Sequence, residues 1–171
     1  MEEANRGCTP EETIEALMRS HSTAILRTCY VMLRDAHLAE DAMQETYVKA
    51  YKALSSFRGD SRTETWLMRI AINTCKDMLR GRWFRFVDRR KALEDLPEAS
   101  VPFEANDDTL IKEVMALPSK YRAAILMTYY WNLPATEAAE ALGIAPSTLY
   151  VYVSRARKML KTRLEGWYDE A

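Results

Sequence analysis

The segment TEAAEALGIAPSTLYVYVSRAR, residues 136–157, constrains the fold more than any other part of this sequence. Its small apolar residues recur at helical spacing up to Gly143, which can adopt the left-handed conformation that ends a helix. Pro146 suits the first turn of a second helix, in which Leu149 and Val153 face inward. Two short helices around a tight glycine turn, the second of them basic, are typical of a helix-turn-helix, although an ordinary helical hairpin shares the pattern.

The rest of the composition predicts an all-α protein. The 171 residues are 48% hydrophobic, with only 5 glycines and 6 prolines, and long alternating β-branched runs are missing. Thr9 and Glu12 form a capping box for a first helix that ends near Asp35. A second helix is predicted at about 38–54, and a third begins after Ser61 and stops at Gly81. Four more are predicted at 108–116, 119–131, 135–142 and 146–165.

Residues 88–107 interrupt this helical pattern, because they have no hydrophobic periodicity and gather acidic residues and prolines. Such a stretch predicts a linker rather than a packed element. We therefore expect two small helical domains, at 8–87 and 108–167, joined by a flexible acidic linker.

The charge is segregated along the chain although the formal net charge is only −1. The stretch from Arg69 to Lys91 contains eight basic residues and two acidic ones. The stretch from Arg155 to Arg163 contains five basic residues and no acidic one. The stretch from Glu94 to Glu113 is strongly acidic. Phosphate binding depends on the local field, so two separate basic regions favour a nucleic-acid partner over a merely solvated face.

The sequence argues against metal and enzyme chemistry. Three cysteines and two histidines lack the spacing of a zinc site, and His21 and His37 have no plausible catalytic partners. Isolated thiols at apolar helical positions, Cys29 and Cys75, fit a protein core and a reducing cytosol. With no signal peptide and no apolar run near the roughly 18 residues of a membrane span, we expect a cytoplasmic protein without cofactor or small-molecule substrate.

Several stretches together resemble one family, the extracytoplasmic-function sigma factors of bacterial RNA polymerase. They are AEDAMQETYVKAYKALSSFRGDS, TWLMRIAINTCKDMLR, ALPSKYRAAILMTYYWNLPATEAAEALGI and SRARKML. The ordered set covers nearly all of the chain except the N-terminal tail and the linker. The resemblance implies a sigma factor that binds core RNA polymerase, recognises promoter DNA and helps to separate its strands, and it also implies an anti-sigma partner, often at the membrane.

The resemblance assigns residues to three contacts. Asp41, Gln44 and Glu45 match the motif that docks on the clamp helices of the polymerase. The contact with the −10 element is assigned to a loop and to two residues of the helix after it. In the loop, an aromatic ring can stack on a flipped base. These −10 residues are Phe57, Arg58, Gly59, Asp60, Ser61, Asn73 and Lys76. A hydrophobic staple is an equal alternative for Phe57.

The −35 element maps onto the second helix of the helix-turn-helix, where Arg155 is the foremost candidate for a base or phosphate contact. Its residues are Ser147, Thr148, Tyr150, Val151, Ser154, Arg155 and Arg157. Tyr150 and Tyr152 stand where similar factors usually carry basic residues, so the −35 preference of this chain is open.

Three other functions compete with this interpretation. A stand-alone helix-turn-helix regulator would lack the DAMQE helix and the FRGDS loop. A helical nucleic-acid enzyme would need a carboxylate cluster or an activated nucleophile. A degenerate module would dock on polymerase without starting transcription.

Overall fold

The computed structural model describes residues 9–57, 59, 62–88 and 108–164, and of residues 82–88 and 108 it describes the backbone only. Within these ranges the chain forms helices and connecting turns, with no strand, and the predicted all-α fold is confirmed. The seven α-helices are α1 (Pro10–Leu33), α2 (Ala36–Ala53), α3 (Thr63–Asp88), α4 (Asp108–Ala116), α5 (Ser119–Ile125), α6 (Ala135–Leu142) and α7 (Pro146–Leu164). The predicted linker, Ser61 at the predicted start of the third helix, and Cys8 lie outside the described residues.

The first half of the fold is a three-helix unit whose ends follow the local sequence. The Thr9 and Glu12 side chains bond reciprocally to each other's backbone N–H groups, which confirms the predicted capping box. Helix α1 ends at Arg34, which takes a left-handed conformation, and the Asp35 carboxylate accepts the Leu38 N–H at 3.0 Å to start α2.

Small residues let α1, α2 and α3 approach closely. Ala39, Ala42 and Ala50 of α2 are fully buried between larger side chains of the other two helices. Cys29 and Cys75 are fully buried, as predicted. The hydrogen bond between the two thiols, together with burial, raises the pKa of Cys29 well above its usual range.

The second half is built around the helix-turn-helix. Helix α5 continues as one π-helical turn, Leu126–Tyr130, before α6 and α7 cross around Gly143. Ala138, Ala139 and Leu142 are buried on the inward face of α6, as the sequence predicts, and Leu149 and Ala156 are buried on α7.

The two halves share one hydrophobic core in this structure, a feature that the sequence did not predict. Helix α6 lies against α3, while α4 and α5 lie against α1. The Trp131 indole N–H donates to the Thr28 hydroxyl at 3.0 Å across the same boundary.

The predicted end of the third helix is wrong, because α3 continues through Gly81 to Asp88. A lone glycine weakens a helix but does not end one when its neighbours favour helix and its own φ stays negative. Gly143 differs because its φ of +67° belongs to the left-handed region, where a Cβ atom is strained.

The two glycines therefore predict opposite effects of one substitution. A Cβ built at either position meets no atom within 4 Å beyond its own stretch of backbone, so backbone preference decides both results. Gly81→Ala should raise the free energy of unfolding by about 0.8–1 kcal/mol, and Gly143→Ala should lower it by about 1–2 kcal/mol. Urea unfolding of both variants beside the parent measures this, and equal signs would contradict the assigned conformations.

Candidate polymerase and DNA interfaces

The three residues predicted to bind polymerase lie together on one face of α2. Asp41, Gln44 and Glu45 are all exposed, and the i, i+3, i+4 spacing places them side by side. They line a groove of about 520 Å³ between α2 and α3, which also contains Val48 and Asp77. The groove therefore offers carboxylates, an amide and an apolar residue in one place.

Lys49 sits inside this acidic groove and sets its charge. Its Nζ donates to the Thr74 hydroxyl at 3.2 Å and lies 3.7 Å from a Glu45 oxygen and 4.0 Å from an Asp77 oxygen. These contacts are half-exposed, so each contributes little to stability. Their main effect is to orient Glu45 and Asp77 along the groove.

Sequence reasoning missed Val48 and Asp77. Val48 is 45% exposed, and an apolar side chain on an otherwise acidic helix face was a usable signal. Asp77 gave no such signal, because only the packing of α2 on α3 brings it beside Glu45, which is 32 positions earlier in the chain.

The predicted −10 loop is only partly described, since Arg58, Asp60 and Ser61 lie outside the described residues. Phe57 is half-buried at its start, and its ring centroid lies 4.8 Å from that of Trp66 at an interplanar angle of 35°. Gly59 is exposed. Phe57 thus combines a packed face with a partly open one, and both interpretations from the sequence keep structural support.

Asn73 and Lys76 lie one turn apart on α3 but in different surroundings. Asn73 is exposed, whereas Lys76 is half-buried and donates from Nζ to the Leu142 carbonyl of α6 at 3.3 Å. Burial lowers the pKa of Lys76, and the nearby Arg80 lowers it further. The structure therefore leaves Asn73 open to solvent and covers Lys76 with the other half of the chain.

On α7, all of the predicted −35 residues except Thr148, which is partly buried, are exposed. At 100° per residue, Ser147, Ser154 and Lys158 lie near the centre of this exposed face. Lys158 and Lys161 line a shallow groove of about 890 Å³ together with Tyr150, Ser154 and Arg157. The two lysines were not among the predicted residues. They follow Ser154 by four and seven positions, and this spacing already indicates the same helix face.

Arg155 lies at the edge of that face and is held by α5. Its Nη1 donates to the Tyr121 hydroxyl at 3.4 Å, and this bond lowers the pKa of Tyr121 and raises that of Arg155. Tyr152 packs edge-on against Tyr121, with centroids 5.5 Å apart, whereas Tyr150 is 64% exposed. Of the two tyrosines that replace basic residues, Tyr150 is therefore the one on the open face.

Within the described residues, no group of three or more histidines, cysteines or acidic residues is arranged to hold a metal ion. In the same part of the chain, none of the helices has the length and apolar character needed to cross a membrane.

The two halves match two family models, described as sigma-70 region 2 over residues 17–85 and sigma-70 region 4 over residues 108–160. The RNA polymerase sigma-H factor of Pseudomonas aeruginosa is 30% identical over 100% of this chain and 95% of its own length. The ECF RNA polymerase sigma factor SigW of Bacillus subtilis is 31% identical over 82% of each chain.

Solved structures show the same fold. The sigma factor RpoE of Bartonella quintana, solved with the anti-sigma factor NepR, superposes with a TM-score of 0.77 at 24% identity, over 88% of this chain and 96% of that one. CnrH, solved with the cytosolic domain of CnrY, gives a TM-score of 0.66 at 21% identity, over 91% and 90%.

The Arg155 contact makes a prediction about titration. Replacing Arg155 by Gln should move the pKa of Tyr121 upward, because the cation that favours the phenolate is removed. ¹³C NMR of labelled tyrosine rings, with Tyr121→Phe to assign the signal, measures the shift. An unchanged pKa in the Arg155→Gln variant would mean that the two side chains are not in contact in solution.

Proposed function

Because this chain belongs to the sigma-70 family, in its extracytoplasmic-function group, we propose a division of labour between its two halves. As a member of that family it is an RNA polymerase sigma factor, which binds core polymerase and directs it to promoters. Residues 8–87 form the domain for polymerase and −10 DNA, 88–107 the linker, and 108–167 the domain for −35 DNA. The observation that carries this division is the segregation of charge onto an acidic groove in one half and a basic helix face in the other.

Polymerase docking is assigned to the α2/α3 groove. Asp41, Gln44 and Glu45 make no contact that the core of the protein requires, and all three are exposed to a basic partner, with Glu45 also lying beside Lys49. Carboxylates pair well with arginines in bidentate geometry. Val48, in the same groove, adds apolar area that a purely electrostatic contact would lack.

The −35 contact is assigned to the exposed face of α7. Ser147, Ser154 and Lys158 lie near its centre, with Arg157 beside them, so the face carries both hydroxyl and cationic donors. Such donors bind base edges and phosphates in the major groove. Tyr150, exposed on the same face, provides an apolar surface against a thymine methyl or a sugar.

The −10 contact is assigned to the loop that begins at Phe57 and to the exposed edge of α3. The Phe57 ring rests on Trp66 on one side, so the opposite side is the surface on which a base can stack. Asn73 is exposed on α3, 16 positions after Phe57 and about one turn before Asp77, and it supplies an amide for a base or phosphate.

We further propose that the protein has no catalytic site of its own, that it acts in the cytoplasm, and that an anti-sigma factor holds it inactive. The first proposal rests on the family, whose members are initiation factors and leave RNA synthesis to the polymerase. A stand-alone regulator is not favoured, because the match to region 2 covers residues 17–85, the half that such a regulator lacks. Run-off transcription with purified core polymerase on genomic fragments tests the function and yields promoters for the variants below.

Reversing charge in the groove should abolish polymerase binding. Asp41→Lys with Glu45→Lys removes two charge-assisted contacts of about 1.5–3 kcal/mol each, which corresponds to at least a hundredfold loss of affinity. The helical signal should survive, since exposed substitutions usually cost within about 0.5 kcal/mol. Affinity for core polymerase is measured by fluorescence anisotropy of labelled protein.

The matched control compares single reversals, Glu45→Lys in the groove and Glu15→Lys on the exposed side of α1. Only the first should weaken binding. Normal binding by the double variant would disprove the assignment of the groove.

The two DNA contacts should respond differently to a premelted bubble template. Phe57→Ala should lose roughly 1–3 kcal/mol of base stacking, and a bubble should partly restore transcription because part of the unstacking cost is already met. Arg155→Ala or Lys158→Ala should weaken closed duplex binding, and the bubble should leave that defect largely intact. The measurement is initiation rate on duplex and bubble templates.

A second variant separates stacking from packing at Phe57. Phe57→Leu keeps most of the apolar contact with Trp66 but offers no ring to a base, so its opening defect should resemble that of Phe57→Ala while its stability stays near the parent's. Recovery of normal opening by Phe57→Leu would show that the ring serves only as core.

A further inference from the structure

Helices α5 and α7 carry a cluster of two cations and two tyrosine rings at the place where they meet. Arg155 of α7 donates to the Tyr121 hydroxyl at 3.4 Å, and the Tyr121 ring packs edge-on against Tyr152, with centroids 5.5 Å apart. Lys120 of α5 places its Nζ 5.0 Å from the centroid of the Tyr121 ring and 5.5 Å from that of Tyr152. Lys120 and Arg155 therefore rest on the same pair of rings, although they belong to different helices.

Both cations of this cluster are exposed, and neither has an acidic partner. Among the ion pairs of the described residues, none joins Lys120 or Arg155 to a carboxylate. Arg163, about two turns further along α7, differs because a Glu113 oxygen lies 3.3 Å from its guanidinium. A neutral ring attracts a cation without cancelling its charge. The cluster therefore presents two ordered positive charges to an anionic partner.

The cluster lies on one flank of the α7 face that is assigned to −35 DNA. At 100° per residue, Arg155 lies about 100° to one side of Ser154, whereas Arg157 lies about 60° to the other side. Tyr152, which packs beneath Lys120, lies on the same side as Arg155. An α-helix with its side chains is about 10–12 Å wide and the major groove about 12 Å, so the flanks of an inserted helix face the phosphates of the two groove walls.

We propose that Lys120 and Arg155 together bind a backbone phosphate at the edge of the −35 element, so that α5 takes part in DNA binding beside the recognition helix. The inference rests on the −35 contact proposed for α7. Arg155 uses one N–H on Tyr121 and keeps its other donors for phosphate oxygens. Tyr121 and Tyr152 are positioning residues, because they act through the two cations. This contact fixes the position of the protein on the duplex without reading its sequence.

The salt dependence of DNA binding tests the contact, because each phosphate contact releases counterions. Lys120→Gln should lower duplex affinity by about three- to tenfold near 0.1 M salt, and the slope of log affinity against log salt should become shallower by about 0.9. The loss should be the same on a promoter mapped by run-off transcription and on that promoter with a scrambled −35 element. Fluorescence anisotropy of the labelled duplexes with the holoenzyme measures both quantities.

Two further variants serve as controls. Lys112→Gln makes the same change in charge at an exposed position of α4 in the same half of the chain, and it should leave the affinity and the salt slope unchanged. Lys120→Arg keeps the positive charge and should bind as the parent does. A defect in Lys120→Gln that Lys120→Arg restores is then a loss of charge and not a loss of folding.

Duplexes with one neutral phosphate locate the contact. A methylphosphonate linkage removes the charge of a single phosphate, and a set of duplexes places it at each position of the −35 element in turn. At one position the linkage should weaken binding of the parent more than binding of Lys120→Gln or Arg155→Gln. Such a difference is the coupling that a direct contact produces.

Equal salt slopes of Lys120→Gln and Lys112→Gln would overturn the proposal, as would a loss on the mapped promoter alone or a loss confined to affinity for core polymerase. Lys158→Ala separates this failure from failure of the −35 assignment. If Lys158→Ala weakens duplex binding and Lys120→Gln does not, α7 binds DNA without α5. If neither variant weakens it, the assignment of the α7 face is itself wrong.

Discussion

Helix α3 is the element on which the rest of the structure depends, because it is packed from two sides. Leu67, Ala71 and Cys75 are buried against α1 and α2, and this stripe fixes the three-helix unit. A second face, with Thr65 and Lys76, lies under α6. The acidic groove, the −10 loop and the helix-turn-helix are therefore all positioned relative to one helix.

The parts of this arrangement that follow from local rules could be predicted from the sequence. The Thr9 capping box, the apolar stripe of α3 and the Gly143 turn each depend on residues within about one or two helical turns. The resemblance to a family then ordered these pieces into two halves. Neither source predicted that the halves share a core, since the pairing of Thr65 with Glu137 joins residues 72 positions apart.

One local prediction was wrong, and one predicted site residue has a contact that the sequence does not show. Gly81 was predicted to end a helix, but propensity is a small term that the surrounding helix formers outweigh. Arg155 was the foremost candidate for a base or phosphate contact in the −35 element, and the structure places it at the edge of the exposed face of α7, bonded to Tyr121 of α5. The Arg155–Tyr121 contact joins residues 34 positions apart, so the pattern of α7 alone does not predict it.

The polar character of the α3/α6 contact suits an interface that opens. Burial of apolar area stabilises an interface in proportion to that area, and the whole of this stabilisation is lost when the interface separates. Arg69 and Glu140 keep 42% and 73% of their side chains exposed, so water and salt compete with their contact. When α6 separates from α3, water can take the place of Glu140 and of the Leu142 carbonyl, so neither Arg69 nor Lys76 is left buried without a partner.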